Sequence, residues 1–148
     1  MKTTEMSEQS TAEDAVNALV VELRVLEGTY NELSARQNLL ERAMLEGRAA
    51  LDAIKGLSGQ SPGEVLTQVG GGIMLRSSPP ETERVLVSIG ANVVVEKSRD
   101  EAVAILEERG RDIEKTLVSL VNQRNEIAQR LNSDREVLNS LMARSQQG

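Results

Sequence analysis

Apolar residues recur in alternating steps of three and four along both ends of the chain, a spacing that buries side chains only when two helices share a seam. From Val16 the steps land on Val16, Leu19, Leu23, Leu26, Tyr30, Leu33, Gln37, Leu40, Met44, Gly47, Leu51 and Ile54, and only Gln37 and Gly47 break the run. From Val103 they land on Val103, Leu106, Gly110, Ile113, Leu117, Leu120, Arg124, Ile127, Leu131, Asp134, Leu138 and Leu141, with Gly110, Arg124 and Asp134 as the breaks. In the first arm Glu22, Arg24, Glu27, Glu32, Arg36, Glu41 and Arg42 fall between the seam positions and supply the solvated sides. Capping boxes stand at Ser10-Thr11-Ala12-Glu13 and at Ser98-Arg99-Asp100-Glu101, and Gly56 is a C-terminal stop. The pattern predicts a flexible tail over 1–10, a helix over 11–57, a second helix over 98–144 and a short tail over 145–148.

Helices of equal length joined by a compact segment are expected to pair antiparallel. One register sets Ile54 against Val103, Leu51 against Leu106 and Val16 against Leu141. It also sets Gly47 against Gly110, which means either a close backbone approach or a weak layer. Arms of this length extend roughly 65 to 70 Å.

Such a seam suits the composition. Tyr30 is the one aromatic residue, and a chain without Trp or Phe lacks the large side chains that fill ordinary cores. His and Cys are absent as well, which removes the commonest proton shuttle, the thiol nucleophile and the imidazole and thiolate metal ligands. The net charge of −6 does not favour nucleic acid. The first sixteen residues lack the basic start and apolar stretch of a secretory signal, and no run reaches membrane-spanning length. These readings predict a cytoplasmic protein that is not an enzyme, has no cofactor or metal, and binds neither nucleic acid nor membrane.

Between the arms, over 58–97, the heptads give way to β-branched residues, Gly and Pro. Val65-Leu66-Thr67-Gln68-Val69-Gly70-Gly71-Gly72-Ile73-Met74-Leu75 is echoed twenty residues later by Val85-Leu86-Val87-Ser88-Ile89-Gly90-Ala91-Asn92-Val93-Val94-Val95. Each copy is an apolar run, a turn-forming break and a second apolar run, the pattern of a β-hairpin. Ser77-Ser78-Pro79-Pro80 separates the two. Gly70-Gly71-Gly72 lacks the Lys-Ser/Thr ending of a phosphate-binding loop and opens no helical pattern, so it reads as a turn. Val85-Leu86-Val87 and Val93-Val94-Val95 are apolar at consecutive positions, so both faces of these strands require cover. Two hairpins by themselves cannot provide it, and their unpaired edges are templates for further strands. Val65, Leu66, Val69, Ile73, Leu75, Val85, Leu86, Val87, Ile89, Val93, Val94 and Val95 are therefore the expected oligomerisation residues.

Helix, two consecutive hairpins, helix resembles the organisation of alpha-type subunits of the prefoldin family. The most specific stretch runs from Val85 to Ser98 and on through Asp100-Glu101-Ala102, which is similar to the family's second hairpin entering its second helix. The chain departs from the family pattern at Gln68, where Pro is frequent, and at Ile73, Met74 and Leu75, where an aromatic is frequent. The resemblance implies a hexamer of two alpha and four beta subunits, with the hairpins building β-barrels and six coiled coils projecting from them. It further implies capture of unfolded client polypeptides near the arm ends and their delivery to a group II chaperonin, without nucleotide. On that reading Met6, Val16, Leu19, Leu138, Leu141 and Met142 are the candidate client contacts, since antiparallel arms bring both termini to one end and flexible Met side chains adapt to varied partners. The alternative is a coiled-coil scaffold or assembly subunit whose ends bind specific partner proteins.

Overall fold

The computed structural model describes residues 2–57 and 63–145, with side chains described for 11–57 and 63–144. The element order is α1 (Lys2–Leu57), β1 (Val65–Gly70), β2 (Ile73–Ser77), β3 (Arg84–Gly90), β4 (Val93–Ser98) and α2 (Arg99–Ser145). Two long helices thus enclose two antiparallel hairpins, as the repeat predicts. The expected tails differ in outcome. Helix α1 begins at Lys2 and not at Thr11. Residues 2–10 contain neither Pro nor Gly, so nothing interrupts the backbone ladder, and Ser10 is carried as an ordinary helical residue at a small propensity cost. Most of the expected tail over 145–148 lies outside the described residues.

The chain divides into two compact units, Met1–Leu40 with Thr116–Gly148, and Glu41–Lys115. In the first, Leu23, Leu26 and Leu131 form a buried cluster against which Tyr30, Ile127 and Leu138 pack. Gln37, further along α1, accepts a 2.8 Å hydrogen bond from Arg124, which lies earlier on α2. Advance on one helix matches retreat on the other, so the pairing is antiparallel, in the register that sets Leu26 against Leu131. Ion pairs Glu22–Arg130 and Glu27–Arg135, the latter at 2.8 Å, flank the seam. Arg124, a seam residue, lays its guanidinium 5.9 Å from the centroid of the Tyr30 ring while bonding Gln37. Its stem fills the layer and its charge keeps two partners.

The second unit carries the hairpins and the adjoining helical segments, joined by Lys55–Glu107 at 3.1 Å. Here the facing glycines prove to be a weak layer. A Cβ added to Gly47 or Gly110 would meet no heavy atom within 4 Å, and a groove of about 540 Å³ opens there, lined among others by Met44, Leu51, Leu106 and Ile113. Each glycine also costs helix stability through its backbone freedom. Gly47→Ala and Gly110→Ala are therefore expected to raise stability by about 0.5–1 kcal/mol each, read from the midpoint of chemical unfolding. A loss of stability would mean that the backbones approach more closely than this groove allows.

In both hairpins two residues turn the chain with positive φ. They are Gly71 and Gly72 (57° and 78°) and Ala91 and Asn92 (49° and 59°), the pattern of a type I′ turn. The ladders also break at the same place, between Gln68 and Gly70 and between Ser88 and Gly90, which leaves Val69 and Ile89 as the bulged residues. The two hairpins form separate two-stranded sheets.

The start of α2 is a capping box as read from the sequence. Ser98 N–H donates to Glu101 at 2.9 Å, and Glu101 N–H donates back to the Ser98 hydroxyl at 3.2 Å. The Ser98 backbone bond first, then the Ser98 hydroxyl and Lys97, hold the Glu101 carboxyl below its ordinary value of 4.5. A carboxyl lowered on folding stabilises the fold above its unfolded pKa, and that contribution disappears as pH falls through the folded value. Below about pH 4.5 the unmodified chain should therefore lose thermal stability more steeply than Glu101→Gln, and Ser98→Ala should cost about 1 kcal/mol at neutral pH. Melting curves of the three proteins across acid pH check both statements.

Candidate functional site

The hairpins are the first candidate surface, and they differ in how they are held. The second is tied to α2 at both ends. Arg99 N–H donates to the Glu83 carbonyl at 3.0 Å, and the Arg109 guanidinium donates to the Ser88 carbonyl at 2.7 Å. These bonds lay β3 and β4 along the first turns of α2, where Ala102, at 1 % exposure, is the most deeply buried of the described residues. Val85, Val87 and Val95 lie on the half-buried face of the hairpin. The opposite face bears Leu86, 75 % exposed, and Val94, while Ile89 and Val93 near the turn are also open.

The first hairpin has no covered face at all. Leu66, Val69, Ile73, Met74 and Leu75 are all exposed, and of its strand residues only Val65 is half-buried. Its described side-chain bonds stay within the hairpin, as with Thr67 to Ser77 and Arg76 to Glu64. All twelve expected oligomerisation residues thus lie in the two ladders or their bulges, and eight of them are counted among the exposed large hydrophobics. Apolar strands with open edges on both sheets form a surface built to be covered by further strands or chains.

A family model described as Prefoldin subunit matches residues 26–144. The chain belongs to the prefoldin family. It is 38% identical over 112 residues to the prefoldin subunit alpha of Methanoregula boonei, covering 70% of this chain and 73% of that protein. It is 29% identical to the prefoldin subunit alpha of Nitrosopumilus maritimus, over 92% of this chain and 94% of the relative. Among solved structures, a filamentous PFD from Methanocaldococcus jannaschii shares the fold at a TM-score of 0.63 and 20% identity, over 75% of this chain and 93% of that one. The prefoldin beta subunit from Thermococcus strain KS-1 does so at 0.58, also with 20% identity, over 85% and 90%. The alpha-type assignment read from the double hairpin is therefore confirmed, and prefoldin subunits as a family are chaperone subunits.

The second candidate surface of this prefoldin subunit is the end of its first unit. Val16, Leu19, Leu138 and Leu141 are half-buried seam residues, and Leu138 packs on the leucine cluster. Met142 is exposed. Met6 falls within the helical backbone, but its side chain lies outside the described residues. Apolar residues outside the expected set are also open here, Val20, Val21, Val25 and Val137. Val21 and Val25 are 60% and 63% exposed, and they stand one helical turn apart on the outer side of α1. In the sequence they are β-branched residues at positions that a two-helix seam leaves to solvent. Among the described residues no helix is long and apolar enough to cross a membrane.

Proposed function

We propose that this chain is the alpha-type subunit of an ATP-independent holdase, a cytoplasmic hetero-oligomer assembled with beta-type subunits. The observation that carries the reading is the pair of hairpins whose apolar faces stay open in the single chain. Strands of this kind are stabilised when other copies cover them, which supports a β hub from which paired helices project. Two alpha and four beta subunits are the expected stoichiometry.

At the arm ends, apolar segments of unfolded polypeptides are the expected ligands, and a group II chaperonin is the expected recipient. Val20, Val21, Val25 and Met142 offer contact area without opening the seam, while Val16, Leu19, Leu138 and Leu141 become available only where the last layers fray. Met6 belongs to the same candidate set. Each contact is weak, and several arms engaging one client raise the effective concentration of the next contact.

The test is suppression of aggregation of a chemically unfolded, unrelated protein by this chain mixed with a beta-type subunit, without nucleotide. Near-stoichiometric suppression is expected. Changing Val20, Val21 and Val25 to Ser is expected to weaken it several-fold while the mass of the assembled particle stays unchanged. If the unmodified complex leaves aggregation untouched, the holdase reading fails and a scaffold role stands in its place.

A further inference from the structure

The twenty-residue repeat hides a reversal of charge. Glu64 pairs with Arg76 at 3.3 Å across the base of the first hairpin, and Arg84 pairs with Glu96 at 3.0 Å across the base of the second. These are equivalent positions of the repeat, so both hairpins carry the same clasp with acid and base exchanged between the strands. We propose that this opposite sign order keeps the two hairpins from exchanging strands, within one chain and between copies held in one hub. The intermolecular part rests on the assembly reading given above.

The hairpins need such a distinction because little else separates them. β1 and β3 share a Val-Leu pair, the bulge and the glycine after it, and β2 and β4 both begin with three apolar residues. An exchanged ladder of β1 with β4, or of β3 with β2, would keep the register and the turn-side bulge, because the two hairpins pair at equivalent positions. It would also set Glu64 beside Glu96 and Arg84 beside Arg76. Attraction becomes repulsion at both bases, between side chains that are diagonal neighbours across the strands, as the native clasp partners are. Exposed pairs are individually weak, but in a hub that crowds many hairpins together a modest bias is applied at high effective concentration.

The chain has no cysteine, so a disulfide can report exchange. Thr67 faces Leu75 and Val87 faces Val95 in the native ladders, so Thr67→Cys with Val95→Cys brings two thiols opposite each other only after exchange. The full chain carrying this pair is oxidised alone and with a beta-type subunit, and the crosslinked fraction is measured. Adding Glu64→Arg with Arg76→Glu keeps the clasp but gives both hairpins the same sign order, and the crosslinked fraction is expected to rise about threefold to tenfold. Reversing the second hairpin as well, with Arg84→Glu and Glu96→Arg, is expected to return it to the starting level. Raising salt on the otherwise unmodified chain should increase it without any charge substitution. The proposal is overturned if the first reversal leaves the fraction unchanged, or if reversing both hairpins fails to restore it. Particle mass separates this from the hub reading, since exchange in the chain alone is measured whether or not a hub forms.

Discussion

A Leu86→Asp/Val94→Asp variant is expected to keep its helices and yet form no larger particle with a beta-type subunit at concentrations where the unmodified chain is fully assembled. Both residues lie on the face of the second hairpin turned away from α2, and the chain itself leaves them open. Covering two such side chains stabilises an interface by about 3–6 kcal/mol, and a carboxylate in the same place adds a desolvation penalty. The affinity for partners should therefore fall by at least about a thousandfold. Native mass measurement reads the particle and circular dichroism reads the helices. The same mass for variant and unmodified chain would show that this face is not where subunits meet. Val85→Asp is a poor substitute for the test, because Val85 lies on the half-buried face and its loss would disturb the hairpin within its own chain.

The second large effect lies in the other unit. Leu131, 6% exposed, closes the cluster with Leu23 and Leu26. A two-helix seam has few atoms with which to refill a gap, so Leu131→Ala should cost about 3 kcal/mol. Val21→Ala, on the open side of the same unit, should stay within about 0.5 kcal/mol of the unmodified chain. Asp134 should act in the opposite direction. It holds a seam position, its Oδ2 is buried without a hydrogen bond, and the nearest cation, Arg130 Nε, is 4.0 Å away and also pairs with Glu22. Asp134→Leu should stabilise this unit by about 1–2 kcal/mol, since an unsatisfied buried oxygen is replaced by apolar contact. Chemical unfolding of the three variants measures all of this together. Equal losses for Leu131→Ala and Val21→Ala would contradict the seam.

Much of this fold was legible because its periods are short. A step of three and four residues can be satisfied only by a helix that meets another helix, and the breaks at Gln37, Gly47, Gly110, Arg124 and Asp134 were visible as breaks. What each break does was not visible. Arg124 and Gln37 became partners, the two glycines became a gap, and Asp134 was left beside a shared arginine, since each outcome depends on what the other helix brings to that layer. The helix start was misplaced for a related reason. A capping box marks where a helix can begin, but it does not stop one that has already formed upstream.

The sequence alone determined two helical arms in an antiparallel register, two hairpins breaking at the small residues around Gly70-Gly71-Gly72 and Gly90-Ala91-Asn92, and strands too apolar to remain uncovered. Those properties follow from side-chain period and backbone preference, which act within an element or between elements of matching pattern. Only the tertiary structure decided that Val85, Val87 and Val95 turn inward while Leu86 and Val94 stay open, that the first hairpin is bare on both faces, and that the exposed valines of α1 lie outside the seam. Period assigns residues to faces, but which face gains a neighbour is settled by where the chain folds back, here by the bonds from Arg99 and Arg109 that hold one hairpin against α2.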